Sequence, residues 1–423
     1  MNQRPGVLIV DQGASFGGSA LVASVIVNRM PPDRYRVFLA AAVEAEVLRV
    51  TEVAQSRVVH LAKPYDYVGQ ARTRERLAVL PGSVRRLGGW ADTGLRLLRN
   101  AGYTRRLMTL IREEGIALLH LNNGFENLEA HLAAGLTATP ALVHAHGPCG
   151  NSYVTRRLAR RAPACIAISK PVVESFRSVE ASPGRIALLS NPLTVEPGNL
   201  SAAERSRSRA RYGIPPDLVL VGIVGRIVAW KGQLEFLRAA ALALRQVPGS
   251  GAVIIGDVTD ANDAYGRLLR DEVRQLGLQD RVWFTGFIQD PDEAYGLLDV
   301  LVHSSIEPEP FGLVLTEAMA YGIPVVAAGS GGPLEIVTDG VDGFLRDPRD
   351  VAAVGVLLAQ LLRDPGRRAR VGSAGRATVL RRFDPDQYVR RIAEVYDAVL
   401  ERNAGVLSTS GVDGGPFGER PPQ

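Results

Sequence analysis

The chain has 423 residues, of which 46% are hydrophobic and 22% are charged, and these values exclude a predominantly disordered chain. Its formal net charge is only +5, from 49 lysine and arginine residues against 44 aspartate and glutamate residues, and its length is sufficient for two hydrophobic cores. With only two cysteines, Cys149 and Cys165, the sequence fits a reducing compartment and suggests neither a disulfide framework nor a zinc site.

Short apolar runs alternate with helical patterns along the chain, which predicts parallel β-sheets with helices on both faces. In the first half, the predicted strands are residues 7–10, 35–41, 117–121, 141–144, 165–168 and 186–189. In the second half, they are residues 218–224, 252–255, 282–284, 300–303, 324–327 and the region of 344. The predicted fold class is therefore α/β, with two doubly wound domains that face a cleft.

A polar segment rich in serine and arginine, residues 201–211, separates the two halves. We predict a first domain over residues 1–195 and a second domain over residues 196–383. Residues 384–402 are predicted to form a last helix that is amphipathic. Residues 403–423 are rich in glycine, serine and proline, which predicts a disordered tail.

A glycine pair, Gly17-Gly18, follows the first predicted strand and precedes a helix. Glycine lets a backbone approach a ligand closely, and a helix N-terminus favours phosphate. The pair is therefore predicted to lie over the phosphates of a ligand. It is not a GxGxxG dinucleotide fingerprint, and no acidic residue follows at the end of the next strand.

Residues 61–120 carry eleven lysine and arginine residues against five aspartate and glutamate residues, a net charge of +6. A second basic cluster consists of Arg156, Arg157, Arg160 and Arg161. These residues form either a solvated face or a surface that meets anionic lipid headgroups. Nucleic acid is not expected as a partner, because aromatic residues do not alternate with the basic ones.

No apolar run is long enough for a signal peptide or a membrane span. We therefore expect a cytoplasmic protein, with attachment to the inner face of the membrane as a hypothesis that rests on the basic region.

His146 lies just past the predicted strand 141–144, at the sheet edge where ligands bind in such folds. A histidine in this place either supports the fold or holds a hydroxyl group of a ligand. His144 lies two residues earlier, would share that face of an extended strand, and is the alternative candidate. Ser169 follows the strand 165–168 and is a candidate cap for the next helix.

Two cations follow the first predicted strand of the second half. Arg226 and Lys231 come after residues 218–224, so both are expected at the carboxyl edge of the sheet. Together they can neutralise the negative charge that develops on a diphosphate leaving group. No Asp-x-Asp motif is found at a comparable place, so the cations take the part of a metal ion, and neither a metal site nor a cofactor is expected.

The most informative part of the sequence is residues 300–328. Their pattern predicts a strand, an acidic loop with prolines, a helix and a second strand. The amides of Phe311, Gly312 and Leu313 lie at the start of that helix and favour an anion. Glu309 in the loop and Glu317 in the helix would repel the anion, so both are predicted to accept hydrogen bonds from hydroxyl groups. An anion flanked by hydroxyl groups describes a nucleotide diphosphate sugar, with Glu317 on the ribose and Glu309 on the transferred sugar.

The segment from Glu309 to Glu317, with Phe311-Gly312-Leu313 between the two carboxylates, resembles the acidic donor motif of glycosyltransferase family 4. Gly225-Arg226 and Lys231-Gly232 resemble that family's diphosphate-binding pair, within a likeness that extends over residues 218–347. The first half resembles the family only at Gly17-Gly18, His146-Gly147 and Ile168-Ser169.

The resemblance implies a GT-B fold, in which two Rossmann-like domains face a cleft and the last helix, 384–402, crosses back to the first domain. It also implies a retaining, metal-independent transferase that moves a sugar of the hexose type from a nucleotide diphosphate sugar to an acceptor hydroxyl by front-face attack. The expected catalytic residues are Arg226, Lys231, Glu309 and His146. The further expected donor-binding residues are Gly17, Gly18, Gly256, Ile288, Phe311, Gly312, Leu313 and Glu317.

The expected partners are the nucleotide sugar and a glycan or lipid-linked acceptor, as in the synthesis of cell-surface polysaccharide or glycolipid. Two alternatives stay open. A nucleotide-sugar epimerase can share this fold, but it needs acid and base residues around C2 of the sugar. A non-catalytic protein that binds sugar nucleotides would not need the complete set of Arg226, Lys231, Glu309 and Glu317.

Overall fold

The computed structural model describes residues 4–12, 17–42, 58–63, 93–196, 198, 200–258 and 263–404. Contacts divide the chain into two compact units. The first unit runs to Pro192 and resumes at Pro385, and the second unit is Leu193–Asp384. The predicted tail from residue 405 onward lies outside the described residues.

The first unit is built on a parallel sheet. Its strands are β1 (Gly6–Asp11), β2 (Arg36–Ala41), β3 (Val58–His60), β4 (Ile116–Leu121), β5 (Ala141–Ala145), β6 (Cys165–Ala167) and β7 (Ile186–Leu188). They pair in the order β3-β2-β1-β4-β5-β6-β7, and each pair is parallel. The helices of this unit include Gly18–Arg29, Ala101–Glu113, Leu128–Thr137, Tyr153–Ala159, Lys170–Ser178 and Pro385–Asn403.

The second unit has the same architecture. Its strands are β8 (Val219–Val224), β9 (Ser250–Ile255), β10 (Val282–Gly286), β11 (Val300–His303), β12 (Val325–Ala328) and β13 (Phe344–Arg346). They pair in parallel in the order β10-β9-β8-β11-β12-β13. The helices include Ala202–Arg211, Gln233–Gln246, Asp263–Gln275, Pro291–Gly296, Leu313–Ala320, Pro333–Ile336, Val351–Arg363 and Pro365–Arg382.

The strand order reverses beside the first strand of each sheet. In the first unit β1 lies between β2 and β4, and in the second unit β8 lies between β9 and β11. The loops that follow two such strands diverge and leave a crevice at the carboxyl edge of the sheet, which is where doubly wound folds bind ligands. The crevice of the second unit therefore lies between the loops after β8 and β11.

Most strands are apolar along most of their length because helices cover both faces of each sheet. All residues of β1 and β5 are buried, and so are all residues of β9, β11 and β12. Parallel sheets covered on both faces have such continuous apolar strands, whereas a half-exposed sheet alternates apolar and polar residues. The predicted α/β fold class with two doubly wound domains is confirmed.

A strand and a helix are among the elements that were not predicted. β3, at the edge of its sheet, was missed because only Val58 of its three residues is buried, so it gives no continuous apolar run. The polar segment after residue 200 forms the helix Ala202–Arg211, which starts with a capping box between Ser201 and Glu204. Arg209 of this helix is buried and lies 2.8 Å from Asp299 in an ion pair, so a residue that looked solvated supports the fold.

The last helix, Pro385–Asn403, packs against the first helix of the chain, Gly18–Arg29. An ion pair joins Arg29 and Asp386 with Nη1 and Oδ1 3.0 Å apart. Of the helices in the described ranges, none combines the length and the apolar character that a membrane span requires.

The basic region 61–120 is not uniformly a charged surface. Arg96 is buried, and its Nε lies 2.8 Å from Oε1 of Glu129, while the Nζ of Lys63 lies 3.0 Å from Oε2 of the same carboxylate. These two cations therefore belong to the interior, which corrects their assignment to the basic surface. The exposed basic residues described in this region are Arg99, Arg105, Arg106 and Arg112, whereas Arg72, Arg74, Arg76, Arg85 and Arg86 lie outside the described residues.

The second basic cluster is partly neutralised. Nη1 of Arg156 lies 3.6 Å from Oε1 of Glu180, and Arg160 forms an ion pair and two hydrogen bonds with the same carboxylate. Its attraction for an anionic surface is therefore weaker than the sequence predicted.

Candidate active site

The second unit brings together side chains from the loops after β8 and β11. The loop after β8 contains Arg226 and a short 3₁₀ turn, Ala229–Lys231, before Gly232 and the next helix. The loop after β11 contains Glu309 and leads into the helix Leu313–Ala320. These loops border the crevice at the strand-order reversal, and both lie at the carboxyl edge of the sheet, where the sequence predicted them.

Lys231 and Glu309 form an ion pair across this crevice. The Nζ of Lys231 lies 2.6 Å from both Oε1 and Oε2 of Glu309. The two side chains retain 16% and 14% of their accessible surface, so each is largely desolvated and yet still reachable by a ligand. Nζ also lies 4.3 Å from the centre of the Trp230 ring, which adds a cation–π contact.

Glu309 is held in place by two further side chains. His303 Nε2 lies 2.7 Å from Oε2 of Glu309, and the Ser305 hydroxyl donates to the same oxygen over 2.9 Å. Burial by itself raises the pKa of Glu309, but the hydrogen bond from His303 and the charges of His303 and Lys231 outweigh it, so the pKa lies well below its usual range. Glu309 is therefore a carboxylate that accepts hydrogen bonds at neutral pH.

The backbone of Glu309 is fixed by a glycine pair from the loop after β12. The amide of Gly332 donates to the carbonyl of Glu309 over 2.8 Å, and Gly331 forms an isolated parallel bridge with Glu309. A Cβ on Gly331 would lie 2.4 Å from that carbonyl oxygen, so no larger residue fits without moving the loop. This contact orients Glu309 independently of its side-chain bonds.

Arg226 is exposed at the same edge, and no hydrogen bond or ion pair joins its guanidinium to the described residues. Its carbonyl accepts a hydrogen bond of 2.9 Å from Nε2 of Gln233, so its backbone is fixed while its side chain is free to meet an anion. Arg226 precedes Lys231 by five residues in the chain, but its guanidinium forms no bond with the Lys231–Glu309 pair.

Glu317 differs from Glu309 in its surroundings. It is buried, Oε1 accepts a hydrogen bond of 2.6 Å from the Thr194 hydroxyl, and Oε2 accepts one of 2.5 Å from the Tyr295 hydroxyl. Both carboxylate oxygens already have a protein donor, although each can accept a second hydrogen bond. Its predicted bond to a ribose stays a prediction, in which the ligand would share the carboxylate with Thr194 and Tyr295.

The start of the helix Leu313–Ala320 is formed as predicted, with Gly312 in a left-handed conformation (φ 106°) at its N-cap. The side chain of Phe311 is buried against Phe383, with ring centroids 5.8 Å apart, so only its backbone can meet a ligand. Leu313 is half-buried as the first helical residue.

The two residues predicted to frame a nucleobase lie after neighbouring strands. Gly256 follows β9, its amide donates to Gly286 over 2.9 Å, and its α-carbon packs against the carbonyl of Gly225. Ile288 follows β10 and has a buried side chain, whereas Phe287 beside it is 66% exposed. Any contact of Gly256 or Ile288 with a base would therefore be made by backbone atoms.

The predicted site residues of the first unit lie at the carboxyl edge of its own sheet. Gly17 caps the helix Gly18–Arg29 with its carbonyl, which accepts from the amides of Ala20 and Leu21. His146 follows β5, and its Nε2 lies 3.1 Å from Oδ1 of Asn122, which follows β4. Asn122 also bonds to the carbonyl of Ser19 over 2.9 Å, so it connects the glycine-pair loop with His146.

His144 is not an alternative to His146. It is completely buried, and its Nδ1 lies 3.1 Å from Nε2 of His120. A side chain enclosed in this way does not meet a ligand, so the candidate role falls to His146 alone. Ser169 occupies the N-cap position of the helix Lys170–Ser178, but its buried hydroxyl makes no capping hydrogen bond.

Four histidines with lowered pKa values make the first unit sensitive to pH. Burial lowers the pKa of His120 and His146 to about 3 and that of His131 to about 4, and it lowers the pKa of His144 well below its usual value. The unfolded chain binds these protons near pH 6.5, so stability is full above that pH and is lost as the pH falls towards 4.

We expect calorimetric unfolding to show that the first unit loses stability between pH 7 and pH 5, by about 2 kcal/mol for a histidine whose pKa is lowered from 6.5 to 4 or below. A first-unit transition that does not change between pH 7 and pH 5 would contradict the assignment of these histidines as neutral.

Sequence reasoning missed three residues that support the candidate site: His303, Ser305 and Asn122. His303 and Asn122 each stand at the end of a predicted strand that borders a strand-order reversal. This position was the available signal, but it does not specify which partner the side chain meets.

Comparisons with known proteins agree with this geometry. Residues 204–378 match the family described as Glycosyl transferases group 1, and residues 66–196 match Glycosyltransferase Family 4. The chain is 32% identical over 308 residues to the D-inositol 3-phosphate glycosyltransferase of Thermomonospora curvata, a match that covers 69% of each chain. It is 34% identical over 199 residues to the GDP-mannose-dependent alpha-(1-6)-phosphatidylinositol monomannoside mannosyltransferase of Mycolicibacterium smegmatis, covering 45% of this chain and 50% of that protein.

Among solved structures, Anabaena Alr3699/HepE in complex with UDP and glucose superimposes with a TM-score of 0.75 at 25% identity, over 93% of this chain and 100% of that chain. Two doubly wound units and a site at the edge of the second sheet, together with these matches, define a glycosyltransferase of the GT-B class. The chain belongs to glycosyltransferase family 4. The family and the transferase function expected from the sequence are confirmed.

Proposed function

We propose that this glycosyltransferase takes its sugar from a nucleotide diphosphate sugar and transfers it to an acceptor hydroxyl with retention of the anomeric configuration. The observation that carries the proposal is the Lys231–Glu309 ion pair at the strand-order reversal of the second unit. It sets a cation and a hydrogen-bond acceptor side by side. The diphosphate requires the cation, and the sugar hydroxyl requires the acceptor.

The ion pair also resolves an electrostatic conflict. A carboxylate repels a diphosphate, but two oxygens of Glu309 share the ammonium of Lys231 at 2.6 Å, which offsets the repulsion. As the bond between sugar and diphosphate breaks, negative charge grows on the leaving group, and Lys231 together with the exposed Arg226 stabilises it. Glu309 then holds a hydroxyl group of the sugar in the correct orientation.

Retention is proposed through attack on the same face from which the diphosphate leaves. The departing diphosphate accepts the proton of the acceptor hydroxyl, so the step needs no separate protein base. The activities of family relatives support a nucleotide-linked donor, but the donors differ: one relative is GDP-mannose-dependent, and the Anabaena protein was solved with UDP and glucose. The base and the sugar are therefore questions for experiment.

The test of this proposal is slow hydrolysis of nucleotide sugars without an acceptor. We expect one of UDP-glucose, UDP-galactose, GDP-mannose and ADP-glucose to be hydrolysed, and we expect the rate to persist in excess EDTA because Arg226 and Lys231 take the part of a metal ion. Recovery of an epimerised donor instead of a free sugar would favour an epimerase. Complete loss of activity in EDTA, restored by Mg²⁺ or Mn²⁺, would overturn the metal-independent mechanism.

We also propose that the acceptor is a lipid-linked glycan presented at an anionic membrane surface. The support is the set of exposed arginines on and before the helix Ala101–Glu113, together with exposed Leu98, which retains 75% of its accessible surface. Each arginine near an anionic leaflet contributes about 1 kcal/mol, and salt screens this attraction.

Co-sedimentation with liposomes should therefore rise with the fraction of anionic lipid and fall with added salt. The double variant Arg105→Gln/Arg106→Gln should bind several-fold more weakly than the wild type. Arg156→Gln/Arg160→Gln removes the same charge from residues already paired with Glu180 and is the matched control. Equal loss in both variants, or binding that ignores lipid charge, would mean that the arginines of this helix form only a solvated face.

A further inference from the structure

The first unit contains a polar network whose hydrogen-bond directions can be assigned. Asn122 follows β4 and is completely buried. Its Nδ2 donates to Oδ2 of Asp11 at the end of β1, over 3.0 Å, and to the carbonyl oxygen of Ser19, over 2.9 Å. Both partners are acceptors, so the orientation of the amide is determined. Its Oδ1 therefore points towards His146.

The orientation of Asn122 determines the tautomer of His146. An amide oxygen only accepts hydrogen bonds, and Oδ1 of Asn122 lies 3.1 Å from Nε2 of His146. The hydrogen of the neutral ring is therefore on Nε2, and Nδ1 is left with a lone pair. No described residue donates to Nδ1, and the half-buried ring keeps access to solvent.

A stack of buried aromatic groups supports the ring from behind. The centroids of His144 and His146 are 4.2 Å apart. His144 bonds to His120, and Nδ1 of His120 lies 2.7 Å from the hydroxyl of Tyr396 on the last helix. These groups are neutral at physiological pH because burial lowers the pKa of both inner histidines. No positive charge therefore lies behind the ring of His146.

We propose that Asn122 is a positioning residue that fixes the Nε2–H tautomer of His146, so that Nδ1 of His146 accepts a hydrogen bond from a substrate hydroxyl group. Asp11 acts indirectly, through Asn122, because its carboxylate and the Ser19 carbonyl prevent the amide of Asn122 from rotating. The bond from the substrate orients a hydroxyl and transfers no proton. This inference rests on the proposed function only in assigning the hydroxyl group to a sugar substrate.

The tautomer can be measured without any substrate. In the full-length protein with ¹⁵N-labelled histidine rings, long-range proton–nitrogen spectra at pH 7 should show His146 with a protonated Nε2 and an unprotonated Nδ1. The signal is assigned by its loss in His146→Gln. Asn122→Ala should give a mixture of tautomers. A wild-type ring with its hydrogen on Nδ1 would overturn the proposal.

The neighbouring Asn123 is the matched control. Its Oδ1 accepts from the amide of Gln12 over 2.7 Å, and it forms no hydrogen bond with His146. Asn123→Ala should therefore leave the tautomer of His146 unchanged. A change equal to that of Asn122→Ala would mean that general loosening of the loop, rather than the specific hydrogen bond, sets the tautomer.

A double-mutant cycle then tests the functional half of the proposal, using hydrolysis of UDP-glucose and GDP-mannose in turn. Asn122→Ala and His146→Ala should each lower kcat at least tenfold, and the double variant should lose little more than His146→Ala. If the two single losses of kcat multiply in the double variant, Asn122 does not act through His146, and the proposal is overturned. If His146→Ala turns over the donor at the wild-type rate, the substrate contact is wrong while glycosyl transfer stands. If no nucleotide sugar is turned over by the wild type, the proposed function fails, and the nuclear magnetic resonance result still decides the tautomer.

Discussion

Replacing Lys231 with alanine is expected to lower the turnover of the donor by a factor of about 10² to 10³. Loss of one group that stabilises developing charge in a transition state costs about 3–4 kcal/mol. Lys231 is nearly desolvated, so water does not replace its ammonium group efficiently. The measurement is kcat for nucleotide-sugar hydrolysis or transfer, with circular dichroism to establish that the variant is folded.

Lys231→Arg is the informative companion to this variant. Arginine keeps the charge but cannot place a single nitrogen 2.6 Å from both oxygens of Glu309 without changing the geometry. It should therefore recover part of the lost rate.

Arg226→Ala should also lower turnover, since its exposed guanidinium is the second cation of the site. Near-normal rates in folded Lys231→Ala or Arg226→Ala would remove that residue from the catalytic set.

Gly232→Ala is expected to destabilise the second unit by about 3–5 kcal/mol and to abolish most activity. Gly232 has φ 70°, and a Cβ at this position would lie 1.9 Å from the carbonyl oxygen of Ser304. The Ser304 hydroxyl also donates to the carbonyl of Gly232 over 2.8 Å, so this contact joins the loops after β8 and β11. Such a clash with backbone must displace one of the two loops, and Lys231 precedes Gly232 directly.

Gly277→Ala separates the clash from the effect of backbone conformation. Gly277 has nearly the same φ, 69°, but no atom lies within 4 Å of a Cβ built on it. Its substitution should cost only about 1–2 kcal/mol, the cost of a left-handed alanine. Thermal and urea unfolding of the two variants gives the difference, and equal losses of stability would show that the Ser304 contact is not close in solution.

The sequence was sufficient for the fold because each parallel strand is an apolar run. β8, β9 and β11 are covered on both faces by helices, so they stand out from the polar loops and helical patterns around them. Lys231 and Glu309 could be predicted as neighbours for the same reason: each follows a strand, and parallel strands end at one edge of the sheet. β3 could not be recognised in this way because only one of its residues is buried.

The contacts of individual side chains could not be predicted from the sequence. Which residue bonds to Glu309 depends on how the loop after β11 turns back on His303, and no local pattern encodes that turn. Arg96 looked like part of a solvated basic face, but it pairs in the interior with Glu129, 33 residues further along the chain. Long-range pairing of this kind is set by packing and not by the sequence around either residue.

Glu317 illustrates the same limit at the candidate site. The sequence predicted its place on the helix Leu313–Ala320, and the structure places it there. Its partners Thr194 and Tyr295 are 123 and 22 residues away in the chain, so their competition for the carboxylate was invisible to sequence reasoning.

The central claim is that the edge of the second sheet binds the diphosphate of the donor through Lys231, and calorimetric titration tests it most directly. UDP, GDP and ADP are titrated in EDTA into the wild type, Lys231→Ala and Gly277→Ala. We predict that the wild type and Gly277→Ala bind one of these nucleotides with similar affinity and that Lys231→Ala binds it at least tenfold more weakly. Equal affinity in the wild type and Lys231→Ala, or no binding of any nucleoside diphosphate to the wild type, would contradict this claim.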